Sequence, residues 1–177
     1  MQGCPSSLIG NGPVTLSEGL SLLVGEHVPL REQLEVLFSL CTKVETDGEK
    51  KLALEELVKE VVSFSTNLEF HSVREEDILF RMMEVYLGKH GGPIAVMEYE
   101  HEQANGFINT FLSNTENHAQ SSEEIIENTN LIKDAYHTLL DHFMKEEQVL
   151  YPMAEKLFSE EEKELFKQKV TQEKGNI

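Results

Sequence analysis

Basic residues are scarce in this chain. Against 32 Asp and Glu there are only 15 Lys and Arg, a formal net charge of −17 over 177 residues. Phosphate backbones are bound by clustered Lys and Arg, so such a surface excludes nucleic acid as a direct partner. Cysteine is scarce too: Cys4 and Cys41 make no disulfide framework, and a reducing, cytoplasmic setting is expected. No 18-residue stretch is free of charged and polar residues, which predicts no membrane-spanning helix. The opening MQGCPSSLIGNGPV has neither a basic nor an apolar region of the secretory kind, so no signal peptide is expected. Alternation at strand period is absent, and so is any CxxC, flavin or haem motif that would supply electrons internally.

Apolar residues instead recur at helical spacing, as in Leu34, Leu37, Phe38 and Cys41, or Ile78, Leu79, Met82 and Met83. Breakers divide the chain into four long helices and a short fifth. The first is predicted from a capping box at Thr15 and Glu18 to about Val44, the second from Glu49 to Leu87. Gly88-Lys89-His90-Gly91-Gly92 ends the second, and Pro93 suits the first turn of a third that reaches about Asn114. Capping boxes at Ser121/Glu124 and Ser159/Glu162 open a fourth helix to about Phe158 and a short terminal helix to about residue 170. The fold class is therefore all-α: one domain over 1–177, an antiparallel up-down four-helix bundle over about 14–158 with a C-terminal appendage. Pro29 and Pro152 fall inside predicted helices and predict kinks.

One ten-residue pattern occurs twice. HSVREEDILF begins at His71 and HFMKEEQVLY at His142; each has His first, a basic residue fourth, Glu fifth and sixth, Leu ninth and an aromatic tenth. His71 with Glu75, and His142 with Glu146, are i, i+4 pairs that share one helix face, the apolar one continued by Ile78, Leu79 and Met82 or by Val149, Leu150 and Met153. An unpaired carboxylate facing a core is costly, and a metal ion removes that cost. The other two helices each offer one histidine, His27 and His101, at intervals of 44 (71 − 27) and 41 (142 − 101) residues before the pairs. Four His and two Glu from four helices, in an approximate twofold repeat, suit two metal ions bridged by two carboxylates. Imidazole and carboxylate suit zinc or manganese as well as iron.

Other polar residues read differently. Glu76 and Glu147, about 140° round the helix from their histidines, are expected on the solvated side. His90 and His118 fall in loops, and His137 faces away from His142, with a supporting role for a ligand as its alternative. Glu98 makes a ferritin-type Glu-x-x-His with His101, but only one copy occurs; Tyr99 and Tyr151 are expected in the core or at its rim.

Glu26-His27 with Pro29, His71-Ser-Val-Arg-Glu75-Glu76, GGPIAVMEYEHE with its His101, and His142-Phe-Met-Lys-Glu146-Glu147 with Tyr151-Pro152 resemble the hemerythrin-like HHE cation-binding domains. That resemblance implies a non-haem di-iron centre, with Glu75 and Glu146 bridging and His27, His71, His101 and His142 as terminal ligands. Two ferric ions would leave a large positive excess in the core that an oxo or hydroxo bridge lowers, so the centre is expected stable as diferrous and oxygen-bridged when oxidised. Oxygen-carrying hemerythrins have a fifth histidine where Met97 or Asn105 stands here, four residues either side of His101. Four His and two Glu is instead the set of the di-iron proteins called repair of iron centres, which carry an additional cysteine-bearing domain before the bundle. Three function classes follow: a di-iron protein that binds or senses O2, NO or iron; an enzyme that reduces NO or peroxide or delivers iron; or a helical interaction module with a zinc-filled or vestigial site.

Overall fold

The computed structural model describes residues 14–46, 48–89, 92–116 and 120–173. It contains α1 (Glu18–Thr46), α2 (Lys50–Arg74), α3 (Arg81–Leu87), α4 (Gly92–Thr115), α5 (Ser122–Lys145), α6 (Tyr151–Leu157) and α7 (Glu160–Glu173). Two π-helical turns, Glu75–Phe80 and Glu146–Leu150, join α2 to α3 and α5 to α6 without a break, so residues 50–87 and 122–157 are two long helical runs. Among the described residues there is no strand, and no helix is long and apolar enough to cross a membrane. α1 packs on α2 and α5, and α4 on α5 and α2, which makes a helical bundle; α7 lies against α1.

Local chemistry fixes the helix starts. Ser121 accepts from the Glu124 N–H while Glu124 accepts from the Ser121 N–H, and Ser159 with Glu162 does the same, as their spacing predicts. The expected Thr15–Glu18 box gives way to a long-range cap: α1 begins at Glu18, and the N–H of Ser17 donates to Glu155 across 138 residues of chain. α1 runs through Pro29 unbroken, and Pro152 is the second residue after the second π turn. The first π turn has no proline behind it, so proline is not what the two turns share. What they share is their first residue, the buried glutamate of each repeat.

A π turn closes on the residue five positions on, not three or four. Phe80 and Tyr151, each five residues after its glutamate, are accordingly fully buried, while Val149, expected inward from α-helical spacing, is 38 % exposed. The apolar side chains form two clusters. One comprises Leu30–Val44 positions of α1 with Ala53–Leu68, Ala104–Phe111 and Ile125–Phe143 positions; the other gathers Leu20, Leu23, Ile78–Met83, Ile94, Met97 and Leu150–Phe158 positions with Phe166 and Val170 of α7. Between them, on all four walls, lies a layer of buried polar groups: His27, His71, Glu75, His101, His142 and Glu146.

Candidate metal centre

Each of those six side chains is 3 % exposed or less. The histidines converge in two pairs, His27 Nε2 3.0 Å from His71 Nε2 and His101 Nε2 2.8 Å from His142 Nε2. The two glutamates lie between the pairs. Glu146 Oε1 is 2.9 Å from His142 Nε2 and Oε2 is 3.2 Å from His27 Nε2; Glu75 Oε2 is 3.4 Å from both His71 Nε2 and His101 Nε2. Two sets of donor atoms are compact enough for an ion: Glu75, His101, His142 and Glu146, and His27, His71 and Glu146.

A carboxylate stands behind every ring. His27 Nδ1 lies 2.7 Å from Glu147, His71 Nδ1 3.0 Å from Glu26, His101 Nδ1 2.7 Å from Glu76 and His142 Nδ1 3.0 Å from Glu100. Such partners make each Nδ1 the N–H donor, fix the tautomer and leave the Nε2 lone pair aimed inward. Three of these carboxylates are in turn held by cations: Arg74 on Glu26 at 2.8 Å, Lys145 on Glu100 at 2.5 Å and Arg31 on Glu147 at 2.6 Å. Among the described residues no Lys or Arg pairs with Glu76. Arg31 stands four residues after His27, and the same place after His101 is Asn105.

Glu76 and Glu147 are thus not simply solvated. They are part-exposed, as their helical angle predicts, yet each reaches a histidine of the neighbouring helix. A signal for them was present: Glu-His occurs at 26–27 and 100–101 and Glu-Glu at 75–76 and 146–147, once in each half, and each doublet supplies one inward and one supporting group. Tyr151 lies in the core, as expected, and it also reaches the site. Its hydroxyl donates to Glu75 Oε1 at 2.6 Å and lies 3.1 Å from His27 Nε2, inside the centre. Tyr99 is exposed; Glu98 faces Arg81 at 3.8 Å; His137 is exposed and packs on Phe38 and Tyr136, away from the site. His90 and His118, with Cys4, lie outside the described residues. A groove of ≈ 740 Å³ between α1 and α2 is lined by Pro29, Leu30, Phe70 and Val73 together with Glu26, His71 and Arg74.

The charge states are those of a centre arranged for cations. Burial, then the neighbouring His71, lowers His27 to about 4. Burial and His101 lower His142 to about 4 in the same way. Burial also disfavours charge on His101, but Glu75 and Glu76 outweigh it and raise this ring to about 9. Of these two facing rings His101 is thus the one that favours the extra proton, and His142 the one that stays neutral. Burial, then repulsion from Glu75, pushes Glu146 well above the usual carboxylate range. Glu75 Oε2 and both oxygens of Glu146 are buried and accept no hydrogen bond. Orphaned carboxylate oxygens and opposed imidazole lone pairs are costly in a core and are both satisfied by divalent cations, so the residues present fit a metal pair.

Comparison with known proteins points to a cation-binding family. Residues 18–154 match the hemerythrin HHE cation binding domain. The iron-sulfur cluster repair protein YtfE of Escherichia coli O157:H7 is 33 % identical over 138 residues, 75 % of this chain and 63 % of that protein. Its namesake in Shigella boydii serotype 18 (strain CDC 3083-94 / BS512) has the same identity and coverage. The chain thus spans less than two thirds of the length of these relatives. With the match running from the first residue of α1 into α6 and across every inward His and Glu, the chain belongs to the hemerythrin HHE cation-binding domain family.

Proposed function

We propose that the chain binds a pair of iron ions, with Glu75 and Glu146 bridging and His27, His71, His101 and His142 as terminal ligands, on an antiparallel up-down four-helix bundle. The observation that carries this reading is the pairing of four inward Nε2 atoms around two carboxylates whose oxygens have no hydrogen-bond donor. Iron supplies, in such a setting, coordination positions open to a small diatomic molecule. The protein's part is to orient the rings through Glu26, Glu76, Glu100 and Glu147, to exclude bulk water with two apolar clusters, and to leave the positions flanking His101 without a ligand. Met97 is buried in the apolar cluster beside the centre and Asn105 stands on the outer side, so nothing there takes the place of a fifth histidine. The centre accordingly serves to bind or sense O2, NO or iron.

A second reading, delivery of iron to damaged iron-sulfur proteins, is favoured by the relatives being iron-sulfur cluster repair proteins and by the extent of the identity. It would require a partner protein to receive the metal. Anaerobic loading with Fe2+ should give two ions per chain by metal analysis and a paramagnetic signal with NO. Retention of zinc alone, with no optical or magnetic response to either gas, would reject the iron reading. Transfer of the bound iron to an apo iron-sulfur protein faster than its release to a chelator would favour the second reading over the first.

A further inference from the structure

At one matching place the two halves of the centre differ by a single oxygen atom. Tyr151 and Phe80 occupy matching places, nine residues after His142 and His71 (151 − 142 and 80 − 71). Both are fully buried, and each stacks on the histidine of the facing helix: Tyr151 on His27 with centroids 5.7 Å apart and planes at 24°, Phe80 on His101 at 6.0 Å and 20°. Only Tyr151 carries a hydroxyl, and it donates to Glu75 Oε1 at 2.6 Å.

That bond divides Glu75 unequally. Oε2 is free of hydrogen bonds and stands 3.4 Å from both His71 Nε2 and His101 Nε2, whereas Oε1, the oxygen needed for a second ion, is held by the phenol. Glu146 has no such restraint and both its oxygens are open. The His101–His142 position therefore finds two carboxylates ready, and the His27–His71 position finds one, as the two donor sets already express. Filling the latter requires the phenol to release Glu75 or to turn with it.

We propose that Tyr151 makes the two metal positions unequal, restraining Glu75 so that the His101–His142 position fills first and more tightly than the His27–His71 position. The inference rests on the two-metal reading above and concerns only the order in which its positions fill. Co2+ serves as the probe, because its visible absorption reports each occupied position without turnover. The wild-type chain should titrate in two steps separated by about tenfold or more in affinity, the size of effect typical when a group hydrogen-bonded to a ligand changes. His101→Ala should remove the tighter step and His27→Ala the weaker. Tyr151→Phe, which keeps the ring stacked as Phe80 does, should strengthen the weaker step until the two merge. Exchange of the pair, Tyr151→Phe with Phe80→Tyr, should reverse which histidine variant removes the tighter step. Two unequal steps that persist unchanged in Tyr151→Phe, or a tighter step lost with His27→Ala, would overturn the inference while leaving the two-metal centre standing. A wild-type chain that takes up one ion or none would overturn both.

Discussion

Glu147 shows how much a carboxylate outside the ligand set can carry. It is close to a third exposed, yet it accepts from His27 Nδ1 at 2.7 Å and from Arg31 at 2.6 Å. Burial works against its charge, but the bonds from Arg31 and His27 outweigh that and hold it below the ordinary carboxylate range. Its value lies in orientation: a Glu147→Gln amide can present an N–H where His27 needs an acceptor, freeing the ring to rotate or change tautomer. Metal affinity should fall about 10- to 100-fold in Glu147→Gln, the usual cost of losing such a partner, while Glu102→Gln, on the exposed face of α4, should leave it unchanged. Competition against a chelator measures both, and equal affinities would refute the role given to Glu147. The six inward residues were legible in the sequence because they repeat and lie on an apolar face. Their supporting carboxylates were not, because a helix wheel assigns a residue to one helix's surface without saying which neighbouring helix that surface meets.

At the level of elements, the extents of the four helical runs were readable from glycines and capping boxes, save the cap of α1, whereas the π turns were not. Nothing in the residues 75–80 or 146–150 breaks helical periodicity by composition. The extra residue in each turn shows only in which side chain ends up inward, and Tyr151 was underestimated for that reason. The docking of α7 was similarly hidden, since it depends on a close approach between distant segments. A Cβ at Gly19 would stand 2.8 Å from Phe166 Cδ1 and 3.0 Å from Lys167 Cα, and the latter is backbone that cannot swing aside. Gly19→Ala should therefore displace α7 and destabilise the chain by about 1–3 kcal/mol, the usual cost of overpacking. Thermal unfolding should register the loss and limited proteolysis should cut within α7 first, with metal content retained because His27 lies two turns further along α1. A variant as stable as wild type would show that α7 is not held by this contact.

For the whole molecule, the buried titrating groups set the pH at which the metal-free fold is most stable. In the unfolded chain histidines titrate near 6.5, but His27 and His142 hold off protonation in the fold until about 4. Between those values the unfolded state binds more protons, so stability falls as pH drops. Glu146, whose folded value is raised above 4.5, opposes this, since its contribution is present at low pH and lost as pH rises; two groups act against one and the fall remains. Above 6.5 the sign reverses. His101 keeps its proton in the fold up to about 9 after the unfolded chain has released it, so stability is lost as pH rises through that window. Chelator-treated protein should accordingly show its highest melting temperature near pH 6.5, declining on both sides. At ~0.15 M salt, exposed charges more than ~8 Å apart are largely screened, and the profile then reports chiefly the buried centre. Loading with metal should move the maximum upward, because an ion held by His101 replaces the proton whose loss weakens the empty fold on the alkaline side. A melting temperature that climbs steadily from pH 5 to pH 9 without metal would contradict these assignments, and one that metal leaves unmoved would show that the ion does not bind through His101.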